Sequence, residues 1–239
     1  MNNLNYLLGY ENLKIYQNDE MFRFSIDSIL LPNFVTLRKN TKKILDIGTG
    51  NAVVPLILTN LTNATIDGVE IQKEVYNLGV DSVKYNSLED KIHLYNIDVN
   101  EFYKHLQSDC YDTITCNPPF FKVNEQSIMN LSDYKKIARH EITLNLDDVF
   151  HIAKKLLKNN GNIAIVHRTE RLVDIIETMK KYNIEPKKIQ YVYSNLNSVS
   201  NILLIEGVKN GKPGVKVLNP LYIYDENGHY TTQILNYFK

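Results

Sequence analysis

Residues Asn117-Pro118-Pro119-Phe120 set one amide, two prolines and one aromatic ring directly after the apolar run Tyr111–Cys116. Two consecutive prolines cannot continue a helix and cannot donate to a sheet ladder, so they fix a stiff extended turn where a strand ends. Such a turn holds the amide and the ring at the mouth of a sheet, beside backbone carbonyls that the prolines leave unpaired. An amide oxygen and a carbonyl are the two acceptors that the two N–H groups of an exocyclic amine require. The neighbouring ring offers a face for a flat group. The plain alternative is an ordinary Pro-Pro turn with a core Phe, and the rest of the chain weighs against it.

A second cluster begins at Asp46-Ile47-Gly48-Thr49-Gly50. Glycine lets the backbone turn sharply and approach a ligand closely. Dinucleotide-binding loops continue as G-x-G-x-x-G or G-x-G-x-x-A, which brings a helix N-terminus onto a pyrophosphate. Here the sixth position is Val53, too bulky for that approach, so the loop suits a ligand with adenosine and no pyrophosphate. S-adenosylmethionine is such a ligand, and Asp46 is suited to its ammonium, directly or through water. Glu70 stands 20 positions beyond Gly50, about the spacing at which nucleotide folds bind ribose hydroxyls. Asp98, after a further apolar run, is a candidate acceptor for an adenine amine, and equally a plain helix cap.

The elements that must position these residues read as strands alternating with helices. Strands are expected at 43–47, 64–69, 92–97, 111–116 and 161–167, with helices at 53–61, 72–85, 99–106, 146–157 and 169–181. Two further runs, 188–193 and 201–207, are joined by a tight turn at 195–200 and are therefore antiparallel. A last short strand is expected at 221–224. Before this alternation, 13–17 reads as a short strand and 24–37 as a helix, with Ser25 and Asp27 as possible caps and Pro32 disturbing it or breaking it early. Between Phe121 and Leu144 the chain is polar and carries Lys135, Lys136 and Arg139. Insertions after a strand's carboxyl end are where α/β proteins place specificity. The fold expected is α/β and Rossmann-like, one domain whose residues 1–40 form an N-terminal cap on a core at 41–239.

The chain has 239 residues, 44% apolar and 23% charged, as in soluble globular proteins. No apolar run is long enough to span a bilayer, and Met1 to Tyr10 lacks the pattern of a signal peptide. Cys110 and Cys116 make no metal spacing and suit reduced cytoplasmic thiols; no metal is expected. The formal net charge is zero, which permits a local basic patch but argues against a broad nucleic-acid footprint.

Taken in order, these motifs resemble the class I S-adenosylmethionine-dependent methyltransferases, and Asn117-Pro118-Pro119-Phe120 is similar to the element of the branch that methylates amino groups. The resemblance implies a mostly parallel seven-stranded sheet with an antiparallel last strand and helices on both faces. It implies that Asn117 and the Pro118 carbonyl hold the target amine while Phe120 stacks on its plane, and that Asp46, Gly48, Gly50, Glu70, Asp98 and Asp27 line the cofactor site. A closer similarity runs over nearly the whole chain, to the bacterial tRNA(Val) adenine-N6 methyltransferases. It is carried by residues 22–31 (FRFSIDSILL), Ala138-Arg139-His140-Glu141, 167–172 (HRTERL) and 201–207 (NILLIEG). That family methylates the adenine just 3′ of the anticodon, so the partner implied is a tRNA anticodon loop.

Lys135, Lys136 and Arg139 are then candidates for phosphates, as are Lys209, Lys212 and Lys216, although each lysine also suits a solvated surface. Arg23 is a further candidate, or a structural partner for Asp27. His140 and His167 read as structural. The alternatives are another planar amine (a guanine amine in ribosomal RNA or a release-factor glutamine) and a non-catalytic RNA-binding protein on this fold.

Overall fold

A computed structural model describes residues 2–18, 25–118 and 144–238. The chain opens with a hairpin of β1 (Asn2–Leu7) and β2 (Tyr10–Asn18), turning at Gly9 with φ +78°. A Cβ on Gly9 would lie 2.0 Å from the Phe238 ring, so the glycine serves both the turn and the packing of the chain's far end against its beginning.

Helix α1 (Asp27–Phe34) follows, then β3 (Lys43–Ile47), α2 (Val53–Leu61), β4 (Thr65–Glu70), α3 (Lys73–Tyr85), β5 (Ile92–Asn96), the single-turn α4 (Val99–Phe102) and β6 (Tyr111–Cys116). After residue 143 come α5 (Leu146–Leu156), β7 (Leu157–Arg168), α6 (Leu172–Lys181), β8 (Ile184–Tyr193), β9 (Ser200–Lys209), β10 (Lys216–Val217), β11 (Leu221–Tyr222) and α7 (Thr232–Leu235). The main sheet runs β5-β4-β3-β6-β7-β9-β8. Among the described strands of this sheet, β9 alone is antiparallel to its neighbours, as expected for the last of seven strands. The two-residue strands β10 and β11 then pair parallel with the outer edge of β8; only the second was expected.

Alternation along the strands divides the core. Ile44 of β3 packs with α1, α2 and the hairpin, whereas Leu45 and Ile47 pack with α4, α5 and α6. Helix α5 begins with a capping box, Asn145 accepting from the Asp148 N–H. The start of α6 differs from expectation: 169–171 form a 3-10 turn, and the Thr169 hydroxyl bonds Ser200 rather than capping the helix.

Helix α1 also departs from expectation. Neither Ser25 nor Asp27 caps it, and Pro32 lies inside it without ending it. Tertiary bonds hold its far end instead. The Glu206 carboxylate accepts from the Thr36 N–H (2.6 Å) and from Asn162 (3.1 Å). Lys188 donates to the Phe34 carbonyl (2.6 Å). Proline removes one helix hydrogen bond, and these contacts offset it.

The hairpin docks on α3 through side chains that complete its edge. Asn86 accepts from the Lys14 N–H at 3.0 Å and donates to the Lys14 carbonyl at 2.6 Å. The Ser82 hydroxyl accepts from the Tyr16 N–H. An edge strand that would expose an unpaired ladder is thereby covered.

Candidate active site

Strand register brings the ends of β3, β4, β5 and β6 side by side at the carboxyl edge of the sheet, where open α/β sheets hold ligands. Asp46 is 2% exposed, and its Oδ1 accepts from the Thr115 hydroxyl of the adjacent strand at 2.6 Å. Burial pushes its carboxyl up to about 7 against the pull of that hydrogen bond, and the charge of Glu70 adds to the rise. The buried Thr49 hydroxyl lies close enough to Asp46 to lower its carboxyl as well, though it makes no hydrogen bond of good geometry among the described residues.

The loop after β3 has three left-handed residues, Gly48 (φ +67°), Gly50 (φ +60°) and Ala52 (φ +71°). A Cβ on Gly48 or Gly50 would meet no atom of the described residues within 4 Å, so among them the space above both glycines is open. The loop's N–H groups point inward. Those of Gly48 and Thr49 donate to the Val69 carbonyl, that of Ala52 to the Thr49 carbonyl and that of Gly50 to the Glu70 carboxylate at 3.0 Å. Few donors remain there for a pyrophosphate, in keeping with Val53 at the head of α2.

Glu70 is buried, its second oxygen accepting from the Gln72 N–H at 2.8 Å. Two N–H groups fix its orientation while each oxygen keeps a lone pair. Asp98 is the N-cap of α4, its Oδ1 accepting from the Asn100 N–H, so the plain cap role is filled. Asp46, Glu70 and Asp98 together bring carboxylates to this edge, a set that favours cationic and hydroxyl-bearing ligands over phosphates. The set of acceptors and the open space fit S-adenosylmethionine.

Asn117 and the buried Pro118 continue directly from β6. The Asn117 Nδ2 donates to the Ser28 hydroxyl of α1 at 3.1 Å, leaving the amide oxygen as the group available to accept. Asp27, beside Ser28, is buried. Its Oδ2 accepts from the Ser25 hydroxyl at 2.9 Å, and its Oδ1 has no hydrogen-bond partner among the described residues. Burial pushes the Asp27 carboxyl up, opposed by the Ser25 hydroxyl and the Arg168 cation. His167, at the end of β7, is pushed down to about 4 by burial, with Arg171 and Arg168 adding to the fall, and its Nδ1 accepts from the Arg168 N–H. It is neutral at pH 7.

Phe120, Arg23, Lys135, Lys136 and Arg139 lie outside the described residues, as do Pro119 and His140. Lys209 does not serve as a phosphate contact at this edge: it sits at the far end of β9, bonded to Asp109 (2.6 Å) and the Leu157 carbonyl (2.7 Å). Lys212 and Lys216 are exposed. Among the described residues no group of three or more His, Cys, Asp or Glu side chains is arranged to hold a metal ion, and no helix is long and apolar enough to cross a membrane.

Sequence reasoning missed Ser28, Thr115 and Asn51, whose amide ties the loop to the Tyr16 carbonyl of β2 at 3.0 Å. One signal was present. Thr113, Thr115 and Asn117 alternate along an otherwise apolar central strand, and polar groups at such positions need buried partners.

A curated protein of Christiangramia forsetii named tRNA1(Val) (adenine(37)-N6)-methyltransferase is 27% identical over 226 residues, 94% of this chain and 92% of its own. One of the same name from Cytophaga hutchinsonii is 25% identical over 186 residues, 78% of this chain and 76% of its own. Among solved structures, a predicted O-methyltransferase from Agrobacterium tumefaciens superposes with a TM-score of 0.70 at 14% identity, covering 89% of this chain and 96% of that one. The geranyl diphosphate C-methyltransferase of Streptomyces coelicolor, solved with S-adenosyl-L-homocysteine, gives 0.55 at 11% identity, covering 76% and 79%. These structures share the fold. The family model described as methyltransferase small domain matches residues 25–192, more than half of the chain, and the protein belongs to that family.

Proposed function

We propose that this chain transfers the methyl group of S-adenosylmethionine to the exocyclic N6 amine of an adenine in a tRNA anticodon loop, adenine-37, just 3′ of the anticodon. The observation that carries the reading is the Asn117 amide, held by Ser28 with its oxygen left to accept, one strand away from the carboxylate-lined glycine loop. The names of the Christiangramia and Cytophaga relatives support the substrate. An anticodon-loop base is unpaired and enters a pocket at little cost.

The cofactor, when bound, supplies an electrophilic methyl group on a sulfonium. On this reading Glu70 accepts from ribose hydroxyls, Asp98 from the adenine amine, and Asp46 and Asp27 offset positive charge, over the turn made by Gly48 and Gly50. Asn117 Oδ1 and the Pro118 carbonyl each accept one N–H of the target amine, and Phe120 stacks on the base. Both acceptors disfavour delocalisation of the nitrogen lone pair into the ring and aim it, which is catalysis by orientation and needs no strong base. The proton leaves to solvent after transfer. Arg23, Lys135, Lys136 and Arg139 serve tRNA phosphates. Residues 1–40 act as a cap on the same domain as 41–239, an assignment supported by the bonds from β2 to α3, and the protein works in the cytoplasm, where tRNA is.

The test is methyl transfer from labelled S-adenosylmethionine into total RNA from a strain lacking the gene, followed by nucleoside analysis. Label is expected in N6-methyladenosine of a tRNA. Asn117→Ala is expected to lower kcat by about 10²-fold or more while leaving cofactor affinity intact. Label in a guanosine would move the substrate to another planar amine, and full activity of Asn117→Ala would overturn the site.

A further inference from the structure

The geometry points to Ser28 as a positioning residue that holds the Asn117 amide in place before the target amine. A primary amide has a donating and an accepting end of nearly the same shape, and rotation by half a turn exchanges them. Only the accepting end serves a target N–H. The Ser28 hydroxyl, 3.1 Å from Asn117 Nδ2, takes the donating end and tethers the side chain at this edge. This inference rests on the amine-methylation reading above.

Ser28 can do this because α1 is held at both ends. At one end the Ser28 N–H donates to the Ser25 carbonyl at 3.1 Å. At the other, Glu206 and Lys188 bind the residues that close the helix, at the Thr36 N–H (2.6 Å) and the Phe34 carbonyl (2.6 Å). Side chains on both flanks of Ser28, Asp27 and Ile29, are buried. The same face of β6 is fixed strand by strand: Thr113 donates to Asn162 at 3.0 Å, Thr115 to Asp46 at 2.6 Å and Asn117 to Ser28. The first two bonds hold core groups. The third ends at the carboxyl edge of the sheet, so its partner holds the side chain that this edge presents.

Ser28→Ala is expected to lower kcat about tenfold or more, the scale of one lost orienting hydrogen bond. Its KM for tRNA, its affinity for S-adenosylmethionine by calorimetry and its thermal midpoint should stay near those of the unaltered protein. Thr and Val have nearly the same shape and differ by the hydroxyl, so Ser28→Thr should keep activity that Ser28→Val loses. This pair also separates orientation from packing should the Ala variant fold poorly. Adding Ser28→Ala to Asn117→Ala should lower kcat no further, since the first residue acts only through the second.

Unchanged kcat in Ser28→Ala, equal activity of the Thr and Val variants, or an additive loss in the double variant would overturn the assignment. If Asn117→Ala itself were fully active, the amine-methylation site would fail first, a distinguishable result.

Discussion

A carboxyl group buried at the end of β3 ties ligand binding to pH. Asp46 is raised to about 7 by burial, with Thr115 holding one oxygen. The ordinary carboxylate value is about 3.9, so the folded state binds this proton more tightly than the unfolded chain. The stabilisation from that proton is fully present below about pH 3.9 and is lost as pH rises through about 7. Asp46→Asn keeps an oxygen for Thr115 and carries no charge. It should be more stable than the unaltered protein above pH 7, by on the order of a few kcal/mol, with the gap closing toward pH 4. Cofactor binding should run the opposite way. A cationic ligand favours ionised Asp46, so affinity should be flat above pH 7 and fall by up to about tenfold per pH unit below it. Urea unfolding and calorimetric titration of both proteins from about pH 5.5 to about pH 8.5, on either side of the neutral midpoint, would check this; a pH-independent affinity would remove Asp46 from the cofactor's charge balance.

Among the elements, α1 is the least self-sufficient. It spans eight residues, contains Pro32 and lacks a side-chain cap, so local propensity does little to hold it. Its position comes from Glu206, Asn162 and Lys188, which join its end to β7, β8 and β9. Burial pushes the Lys188 ammonium down, against the pull of the Glu206 charge. Glu206→Ala leaves the Thr36 N–H, an Asn162 donor and Lys188 without that acceptor. It should cost about 2–4 kcal/mol in chemical denaturation. Because α1 also carries Ser28, the variant should lose kcat by more than it loses cofactor affinity. Equal losses in both would mean that α1 does not position the Asn117 amide.

At the scale of the molecule, residues from 27 to 117 meet along one sheet edge because parallel strands end together there. The chain's ends meet elsewhere, where Phe238 packs on Gly9 and lies edge-on to Tyr10 with ring centroids 5.9 Å apart. With a formal net charge of zero, long-range attraction to tRNA is weak and grip must be local. The dependence of tRNA affinity on salt should therefore be shallow. Replacing both Lys135 and Lys136 with Ala should flatten it by about 0.7–0.9 in slope for each phosphate contact removed. Anisotropy titrations across a salt series measure this, and an unchanged slope would exclude those lysines from the interface.

The amino-acid sequence by itself determined what depends on neighbours along the chain. The short apolar runs set β3 through β6 with ends close to those observed, whereas β7 begins at Leu157, four residues before the expected start; the Gly48 and Gly50 turn needs left-handed backbone. Only the tertiary structure decided the pairings. Ser28 meets Asn117 across 89 positions and Thr36 meets Glu206 across 170, and contacts at such separations leave no local pattern to read. The same holds for α1, held by distant side chains against its own proline, and for β10 and β11, too short to show a period and made strands by the exposed edge of β8. Hydrophobic periodicity and turn chemistry act over a few residues. The partner of a buried polar group is chosen by which elements the fold brings together.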